Sequence, residues 1–221
     1  MALLLVLLGC GCGADPQALY ADAREAEAPA DALALLGRAF EAGHATPCDV
    51  LKDPAFARLR AAPATRRALR DLLRRHAKET RVSLVAPDEP GDLLVIEGRI
   101  ETVDGEPVAG ALVSLFHTDH AGRYAPEEDG PGRGAGNPRL FGFVRSDAKG
   151  RFTVRTIRPA PYTGLRNLRH VHFSVGAEGY GGVNSQFYLD EDPEPTERQV
   201  RDAAARSIPI LRAKKGEDGV V

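Results

Sequence analysis

The first third of the chain carries apolar residues with the period of a helix. From Asp15 to about Thr80 it is rich in Ala, Leu and Arg, and apolar positions recur three or four residues apart. That spacing places them on one face of a helix. Two such faces comprise Ala32, Leu35, Leu36, Ala39 and Phe40, and Leu69, Leu72, Leu73 and His76. Prolines at 29, 47, 54 and 63 interrupt the pattern, which therefore predicts several short helices over residues 15–80.

The pattern changes to a period of two after residue 92. Leu94, Ile96, Gly98 and Ile100 open a first strand, and Asp104-Gly105 is typical of a hairpin turn. Further strands are predicted at Leu112–Phe116, Leu140–Arg145, Phe152–Ile157, Val171–Val175 and Val183–Tyr188. Short strands separated by Gly, Pro and Asp turns are typical of a sandwich. We therefore predict a mainly β protein: a β-sandwich over residues 93–215, a linker at 81–92 and a small α-helical N-terminal region.

Composition and charge narrow the classes of partner. The hydrophobic content of 43% and charged content of 27% are ordinary for a globular protein. A formal net charge of -2 provides no overall attraction to nucleic acid, so we expect no such partner. The arginine-rich run from Arg58 to Arg75 is either a solvated helix face or a surface for anionic lipid.

The first ten residues, MALLLVLLGC, are nearly all apolar but too few for a membrane-spanning helix, which needs about 20 residues. They are typical of an export signal, although no Lys or Arg precedes them. Leu7-Leu8-Gly9-Cys10 resembles the bacterial lipobox, so we expect a signal peptide at residues 1–10 and a lipid anchor on Cys10. The expected location is the bacterial cell envelope, as a periplasm-facing lipoprotein, or secretion, rather than the cytoplasm. Cys12 and Cys48 would then be left to pair.

The helical region has a loose resemblance of its own. Residues 34–63 resemble the terminal helices of tetratricopeptide-type repeat arrays. A single such unit cannot bury its apolar face alone. We therefore expect it to pack on the second domain or to mediate contact with a partner or an oligomer.

Candidate chemistry begins with His170-Val171-His172, which lies within an apolar strand. Residues two apart on a strand share a face, with Cα atoms roughly 6–7 Å apart, so both imidazoles can reach one metal. The alternative is a pair of polar residues on an exposed strand. Tyr124 and Tyr162 each stand beside turn residues, and a phenol needs a strong Lewis acid to lose its proton near neutral pH. Two phenolates and two imidazoles suit ferric iron, whereas zinc usually takes Cys, His or carboxylates.

Several segments, in order, resemble the intradiol ring-cleavage dioxygenases, which include protocatechuate 3,4-dioxygenase and the catechol 1,2-dioxygenases. The segments are GRIETVDGEPVAGALVSLFHTDHAGRY, NPRLFGFVRSDAKGRFTVRTIRPAPY, HVHFSV and NSQFYLDEDP, and they run from about Leu93 to Asp192. The resemblance implies Fe(III) as the cofactor, with Tyr124, Tyr162, His170 and His172 as its ligands.

The resemblance also implies roles around the metal. Gln186 matches a glutamine that lines the family's active site, and Tyr162 matches the tyrosine that leaves the iron to accept a substrate proton. An arginine shortly before the two histidines would stabilise charge on the ring, and Arg166 and Arg169 are both candidates because this segment is short. The implied reaction joins a catechol-type substrate with O2 to give a muconate-type dicarboxylate.

Two other histidines and one substitution differ from this pattern. His117 and His120 flank the first ligand segment, and we expect His117 to be structural or supporting and His120 to be exposed. Phe116 stands where larger members often have tryptophan. These differences bear on the substrate more than on the metal.

A different class of protein also fits part of the pattern. The segment GRIETVDGEPVAGALV is similar to transthyretin-like and carboxypeptidase-regulatory β-sandwiches, which are non-catalytic binding modules of the cell envelope. Those modules lack the two tyrosines and the paired histidines, so the ligand set favours the enzyme. An iron-binding protein without catalysis is the third alternative.

The lipobox hypothesis can be tested by fractionation. If Cys10 carries lipid, the protein should sediment with membranes, because acyl chains add apolar area that partitions into the bilayer. Cys10→Ser should move it to the soluble fraction, with Cys48→Ser as the control. Equal membrane fractions for all three proteins would rule out the anchor.

Overall fold

The computed structural model describes residues 15–44, 47–128, 130–189 and 194–214, with only the backbone of Pro47 and Cys48. The predicted signal at residues 1–10, with Cys10, and the predicted Cys12–Cys48 pair lie outside the described residues and side chains. The chain divides into two compact units, residues 1–45 and 46–221. Within the described part, no helix is long and apolar enough to span a membrane.

The described part of the first unit is a helical hairpin. Its helices are α1 (Pro16–Glu25) and α2 (Pro29–Glu41), and each begins with a proline, whose missing N–H costs nothing there. The Asp15 carboxylate accepts a hydrogen bond from the Gln17 amide at 3.0 Å and so caps α1. The predicted apolar face of α2 is buried at Ala32, Leu36, Ala39 and Phe40.

The second unit begins with short helices. They are α3 (Pro47–Lys52), a 3-10 turn (Pro54–Phe56), α4 (Ala57–Ala61) and α5 (Pro63–His76). Helix α5 buries Leu69, Leu72 and Leu73, as its spacing predicts. It lies beside the sheet, where the Arg70 guanidinium is 5.4 Å from the centre of the Phe141 ring.

Eight strands in the described residues form two sheets. In chain order they are β1 (Arg81–Ser83), β2 (Leu93–Arg99), β3 (Leu112–His117), β4 (Leu140–Arg145), β5 (Arg151–Ile157), β6 (His170–Gly176), β7 (Val183–Leu189) and β8 (Ile210–Leu211). One sheet has the order β1-β5-β2 and the other β4-β3-β6-β7-β8. Helix α6 (Glu197–Ala205) lies between β7 and β8 in sequence, and a capping box at Thr196 stabilises its N-terminus.

The two sheets enclose one hydrophobic core. Val82, Leu94, Phe152, Val154 and Ile157 come from the three-stranded sheet, and Val113, Leu115, Leu140, Val144, Val171, Phe187 and Leu189 come from the other. Because side chains alternate along a strand, Val113 and Leu115 of β3 and Phe152 and Val154 of β5 lie on the core side of their sheets. The predicted mainly β sandwich with an α-helical N-terminal region is confirmed.

The domain boundaries differ from those expected. The predicted helical region at 15–80 is split, because the division falls after Ala45 and α3 to α5 belong to the sandwich unit. The predicted linker at 81–92 is also wrong in part: Arg81–Ser83 is strand β1, which pairs in parallel with β5. Leu84 and Val85 then enter the core. A three-residue parallel strand has too little period-two signal to be recognised among turn residues.

This division predicts where the chain tolerates shortening. A protein beginning at residue 46 should retain the sandwich, whereas one beginning at Ser83 should lose about 5 kcal/mol or more in free energy of unfolding, because the buried leucines of α5 are removed from the sheet. Urea denaturation of both proteins measures the difference. Equal stabilities would contradict the assignment of α3 to α5 to the sandwich.

Candidate metal centre

The outer face of the five-stranded sheet carries the paired histidines. In β6, Val171 points into the core, so His170 and His172 point away from it. Antiparallel pairing sets Phe116 of β3 and Gln186 of β7 on either side of His172. The predicted common face of the two imidazoles is therefore present, and their ring centres lie 5.0 Å apart.

Two turns bring the tyrosines to the same place. The turn before Tyr124 and the segment before Tyr162 are joined by a hydrogen bond from the Thr118 hydroxyl to the Ala160 carbonyl at 2.6 Å. Gly122 has φ +79°, and a Cβ there would lie 2.1 Å from the Pro161 carbonyl oxygen. Only glycine allows this approach without displacement of the backbone.

The four side chains converge on the Tyr124 hydroxyl. That oxygen is 2.9 Å from the Tyr162 hydroxyl, 3.2 Å from His170 Nε2 and 2.8 Å from His172 Nε2. His170 Nε2 is also 2.9 Å from the Tyr162 hydroxyl. Two oxygens and two nitrogens therefore face one another within a space the size of a single coordination sphere.

Burial favours the uncharged forms of Tyr124, His170 and His172. It lowers the pKa of His172 to about 4, with nearby His170 adding to the effect, and it lowers the pKa of His170 despite the opposing hydrogen bond with the Leu168 carbonyl. Because His170 Nδ1 donates to that carbonyl at 2.9 Å, Nε2 presents a lone pair to the cluster. Burial, with the hydrogen bond to Tyr162, raises the pKa of the Tyr124 phenol well above its usual value. A strongly charged cation is what would displace that proton.

Other donor sets are missing from the part of the chain that the structure describes. No three His, Cys, Asp or Glu residues there lie close enough together to hold a metal ion. The thiolate and carboxylate sites typical of zinc or calcium are thus not found among those residues. The tyrosine–histidine cluster fits a metal that binds phenolate oxygen.

Aromatic rings surround the cluster. Phe116 stacks on His172 with ring centres 4.6 Å apart, and it lies 5.8 Å from the Tyr124 ring. Tyr188 lies edge-on to His170, and its hydroxyl accepts a hydrogen bond from the Gln186 amide at 2.9 Å. Sequence reasoning missed Tyr188, although its place two residues after Gln186 puts both on one face of β7.

A cavity of about 430 Å³ opens beside the cluster. Its lining includes Tyr162, His170, Gln186 and Tyr188, together with Arg166, the α6 residues Gln199 and Asp202, and Arg206 just after α6. Tyr124 is only 1% exposed and does not line it. Helix α6 is thus part of the candidate site, which the sequence pattern did not indicate.

The two candidate arginines differ in position. Arg166 lines the 430 Å³ cavity and also a neighbouring one of about 640 Å³, whereas Arg169 lines only the latter. The Arg169 guanidinium donates to the Pro159 carbonyl at 2.9 Å. The geometry therefore favours Arg166 as the arginine next to Tyr162 and His170.

His117 and His120 lie outside the cluster, as expected. His117 lies fully buried on the core face of β3, and His120 is exposed. His117 Nδ1 is 2.7 Å from the Thr118 carbonyl and Nε2 is 2.7 Å from the Thr156 hydroxyl, so both ring nitrogens are paired.

The segment that carries Tyr124 is held from outside the sheet by residues that sequence reasoning missed. The Arg139 amide donates to the Tyr124 carbonyl at 2.7 Å, and the Arg139 guanidinium binds Glu89 through two hydrogen bonds of 2.8 and 2.5 Å. Glu89 lies in the predicted linker, and no local signal in the sequence links it to Tyr124.

Comparison with known proteins identifies the family. The family model described as "Dioxygenase" matches residues 72–219. The chain is 32% identical over 121 residues to catechol 1,2-dioxygenase 2 of Acinetobacter lwoffii, a match covering 48% of this chain and 42% of that protein. It is 31% identical over 111 residues to the protocatechuate 3,4-dioxygenase beta chain of Burkholderia cepacia, covering 47% of each. The chain belongs to the intradiol ring-cleavage dioxygenase family.

The matches cover less than half of these curated relatives. Among solved structures, chlorocatechol 1,2-dioxygenase from Pseudomonas putida aligns with a TM-score of 0.48 and 23% identity, covering 65% of this chain and 63% of that one. The family match favours the dioxygenase interpretation over the non-catalytic binding module.

Buried His117 predicts a pH dependence of stability. Burial lowers its pKa to about 4, whereas the unfolded chain binds the proton near pH 6.5. Between these values this histidine is protonated only in the unfolded chain. The free energy of unfolding of metal-free protein should therefore decrease as the pH is lowered from 6.5 toward 4, by about 1.4 kcal/mol per pH unit for this histidine. Urea denaturation at a series of pH values should show a smaller slope for His117→Gln than for the wild type, and the wild-type slope for Val103→Ala, a substitution at an exposed site. Identical slopes for His117→Gln and the wild type would refute the lowered pKa of His117.

Proposed function

We propose that the protein is an intradiol dioxygenase that binds Fe(III) through Tyr124, Tyr162, His170 and His172. The observation that carries the proposal is the convergence of two phenol oxygens and two imidazole nitrogens within 2.8–3.2 Å. Family membership supports the same reaction class.

The chemistry of the donors supports ferric iron over zinc. Two phenolates neutralise two positive charges, and a trivalent cation retains enough charge to hold them and to attract a further anion. When bound, the ferric ion supplies the Lewis acidity that lowers the pKa of both phenols and of a catechol and makes the ring reactive toward O2. The neutral imidazoles of His170 and His172 complete the set without adding charge.

The two tyrosines have different surroundings, which supports different roles. Tyr124 is buried beneath Phe116, whereas Tyr162 is half-buried and lines the cavity. A substrate hydroxyl entering the cavity meets the Tyr162 oxygen first. We therefore assign Tyr162 as the base that takes one catechol proton, and Tyr124 as the permanent ligand.

The cavity walls orient the ring. Gln186 and Arg166 can donate hydrogen bonds toward oxygen atoms in the cavity, which would stabilise negative charge that develops on the substrate. The wall formed by Gln199 and Asp202 of α6 and by Arg206, which follows the helix, would contact substituents of the ring. The substrate class is a catechol, with O2 as the second reactant and a muconate-type dicarboxylate as the product.

The other parts of the proposal rest on the sequence. Leu7 to Cys10 supports an envelope location for this activity, and the helical hairpin is proposed as a contact for a partner or an oligomer.

Visible absorption tests the metal centre. Protein loaded with Fe(III) should be red to burgundy, because phenolate-to-iron charge transfer absorbs visible light. Tyr124→Phe should weaken or shift the band, and Tyr180→Phe, an exposed tyrosine outside the cluster, should not. If the protein stays colourless after treatment with Fe(III) and keeps bound zinc instead, the iron site is refuted. A coloured protein that cleaves no catechol would indicate iron binding without catalysis.

Paired substitutions distinguish the arginines. Arg166→Gln should lower kcat/KM for catechol by roughly tenfold to a hundredfold, because a donor near the developing charge is lost. Arg169→Gln should lower it less, since that guanidinium is bound to the Pro159 carbonyl. Oxygen uptake measures both. A larger loss for Arg169→Gln would reverse the assignment.

A further inference from the structure

The chain after Tyr124 forms a closed loop, called here the tyrosine loop: residues 125–128 and 130–138 as the structure describes them. Its two ends meet, because the Arg139 amide donates to the Tyr124 carbonyl at 2.7 Å. Ala125, the first residue of the loop, is 1% exposed. The loop is therefore attached to the backbone of Tyr124 at both of its ends.

The tyrosine loop also passes beside the second phenol. A Cβ placed on Gly132 would lie 3.8 Å from the Tyr162 ring and 3.9 Å from its hydroxyl, so the loop backbone at Gly132 faces Tyr162 with room for little more than a methyl group between them. The loop thus runs beside Tyr162 at Gly132 and continues directly from Tyr124. It is one structural element shared by both phenols of the cluster.

Helix α5 holds the tyrosine loop at three points. Arg66 forms an ion pair with Glu127, the Arg70 guanidinium donates to the Gly136 carbonyl at 2.9 Å, and the Asn137 amide donates to the Pro63 carbonyl at 2.8 Å. The helix lies against β4 of the same sheet that carries the histidines. Helix α5 therefore contacts both the tyrosine loop and the sheet that carries His170 and His172.

Arg66 is the most buried of these contacts. Its side chain is 1% exposed, while that of Glu127 is 31% exposed. The guanidinium also donates to the Arg60 carbonyl at 2.9 Å and to the Ala61 carbonyl at 3.3 Å, which fixes it between α4 and α5. A buried cation needs a negative partner, and Glu127 is the carboxylate that supplies it. This requirement holds Glu127, and with it the start of the tyrosine loop, in one position.

We propose that Arg66 is a positioning residue for the metal centre, acting through Glu127 and the tyrosine loop on Tyr124 and Tyr162. The inference rests on the proposed function, because it takes these tyrosines as ligands. Arg66 precedes residue 72, where the family match begins, so this support comes from outside the matched part of the chain. Groups that orient metal ligands from behind usually alter metal affinity by about tenfold to a hundredfold when removed.

The test compares substitutions in the full-length protein after loading with Fe(III). Glu127→Ala removes the carboxylate, and Arg66→Lys keeps the charge but cannot make the forked contact. Glu101→Ala is the control, since Glu101 pairs with Arg99 at the surface, with 47% of its side chain exposed. The measurements are iron loss to a chelator, the position of the visible band and the thermal unfolding of metal-free protein.

We expect Glu127→Ala to lose iron roughly tenfold faster than the wild type and to shift the visible band. Arg66→Lys should have a smaller effect in the same direction, and it decides the question if Glu127→Ala fails to fold. Glu101→Ala should match the wild type.

Two outcomes separate this inference from the function on which it rests. If both variants unfold at a lower temperature but keep the wild-type band and iron loss, Arg66 is only structural and the inference is wrong, while the iron site stands. If the wild type itself shows no charge-transfer band, the proposed function fails and the inference fails with it.

Discussion

The antiparallel pairing of β6 with β3 and with β7 determines which side chains can meet outside the core. Val171 is held between the sheets, and His170 and His172 must then project from the opposite face. The same register sets Phe116 and Gln186 beside His172. A shift of one residue would exchange the two faces and would bury the imidazoles in the hydrophobic core, at a large cost in desolvation. Core packing and metal chemistry therefore depend on one register.

The site gains its chemical character from being removed from water. Burial favours the neutral imidazole at His172 and the protonated phenol at Tyr124. Neutral imidazoles are ready to bind a metal, but a buried phenol loses its proton only when a strong cation replaces it. The same environment therefore opposes phenolate formation unless a strong cation compensates the charge. The stacked Phe116 ring covers one face of the His172 imidazole.

Segments far apart in the chain provide the walls and the supports of the site. Gly122 permits the contact between the two tyrosine turns, and α6 closes the cavity next to Tyr162. Arg66 on α5 binds Glu127, and Glu89 in the turn after β1 binds Arg139. Both contacts support the segments that flank Tyr124. A catalytic centre on a sheet face needs such supports, because loops without them would not hold ligands within the tolerance of a coordination sphere.

Sequence alone determined the features that depend on local periodicity. The alternation of β6 predicted the shared face of the histidines, and the strand pattern predicted the sandwich. The assignment of Tyr124 and Tyr162 to the same site came from the resemblance to the dioxygenase family, because turn residues alone do not distinguish a ligand from a packed aromatic ring. Tertiary structure decided what periodicity cannot encode. It showed that Arg166 rather than Arg169 lines the cavity, that α3 to α5 belong to the sandwich and that β1 lies within the predicted linker. These features depend on contacts between distant segments, and such contacts follow from packing in three dimensions rather than from the spacing of neighbouring residues.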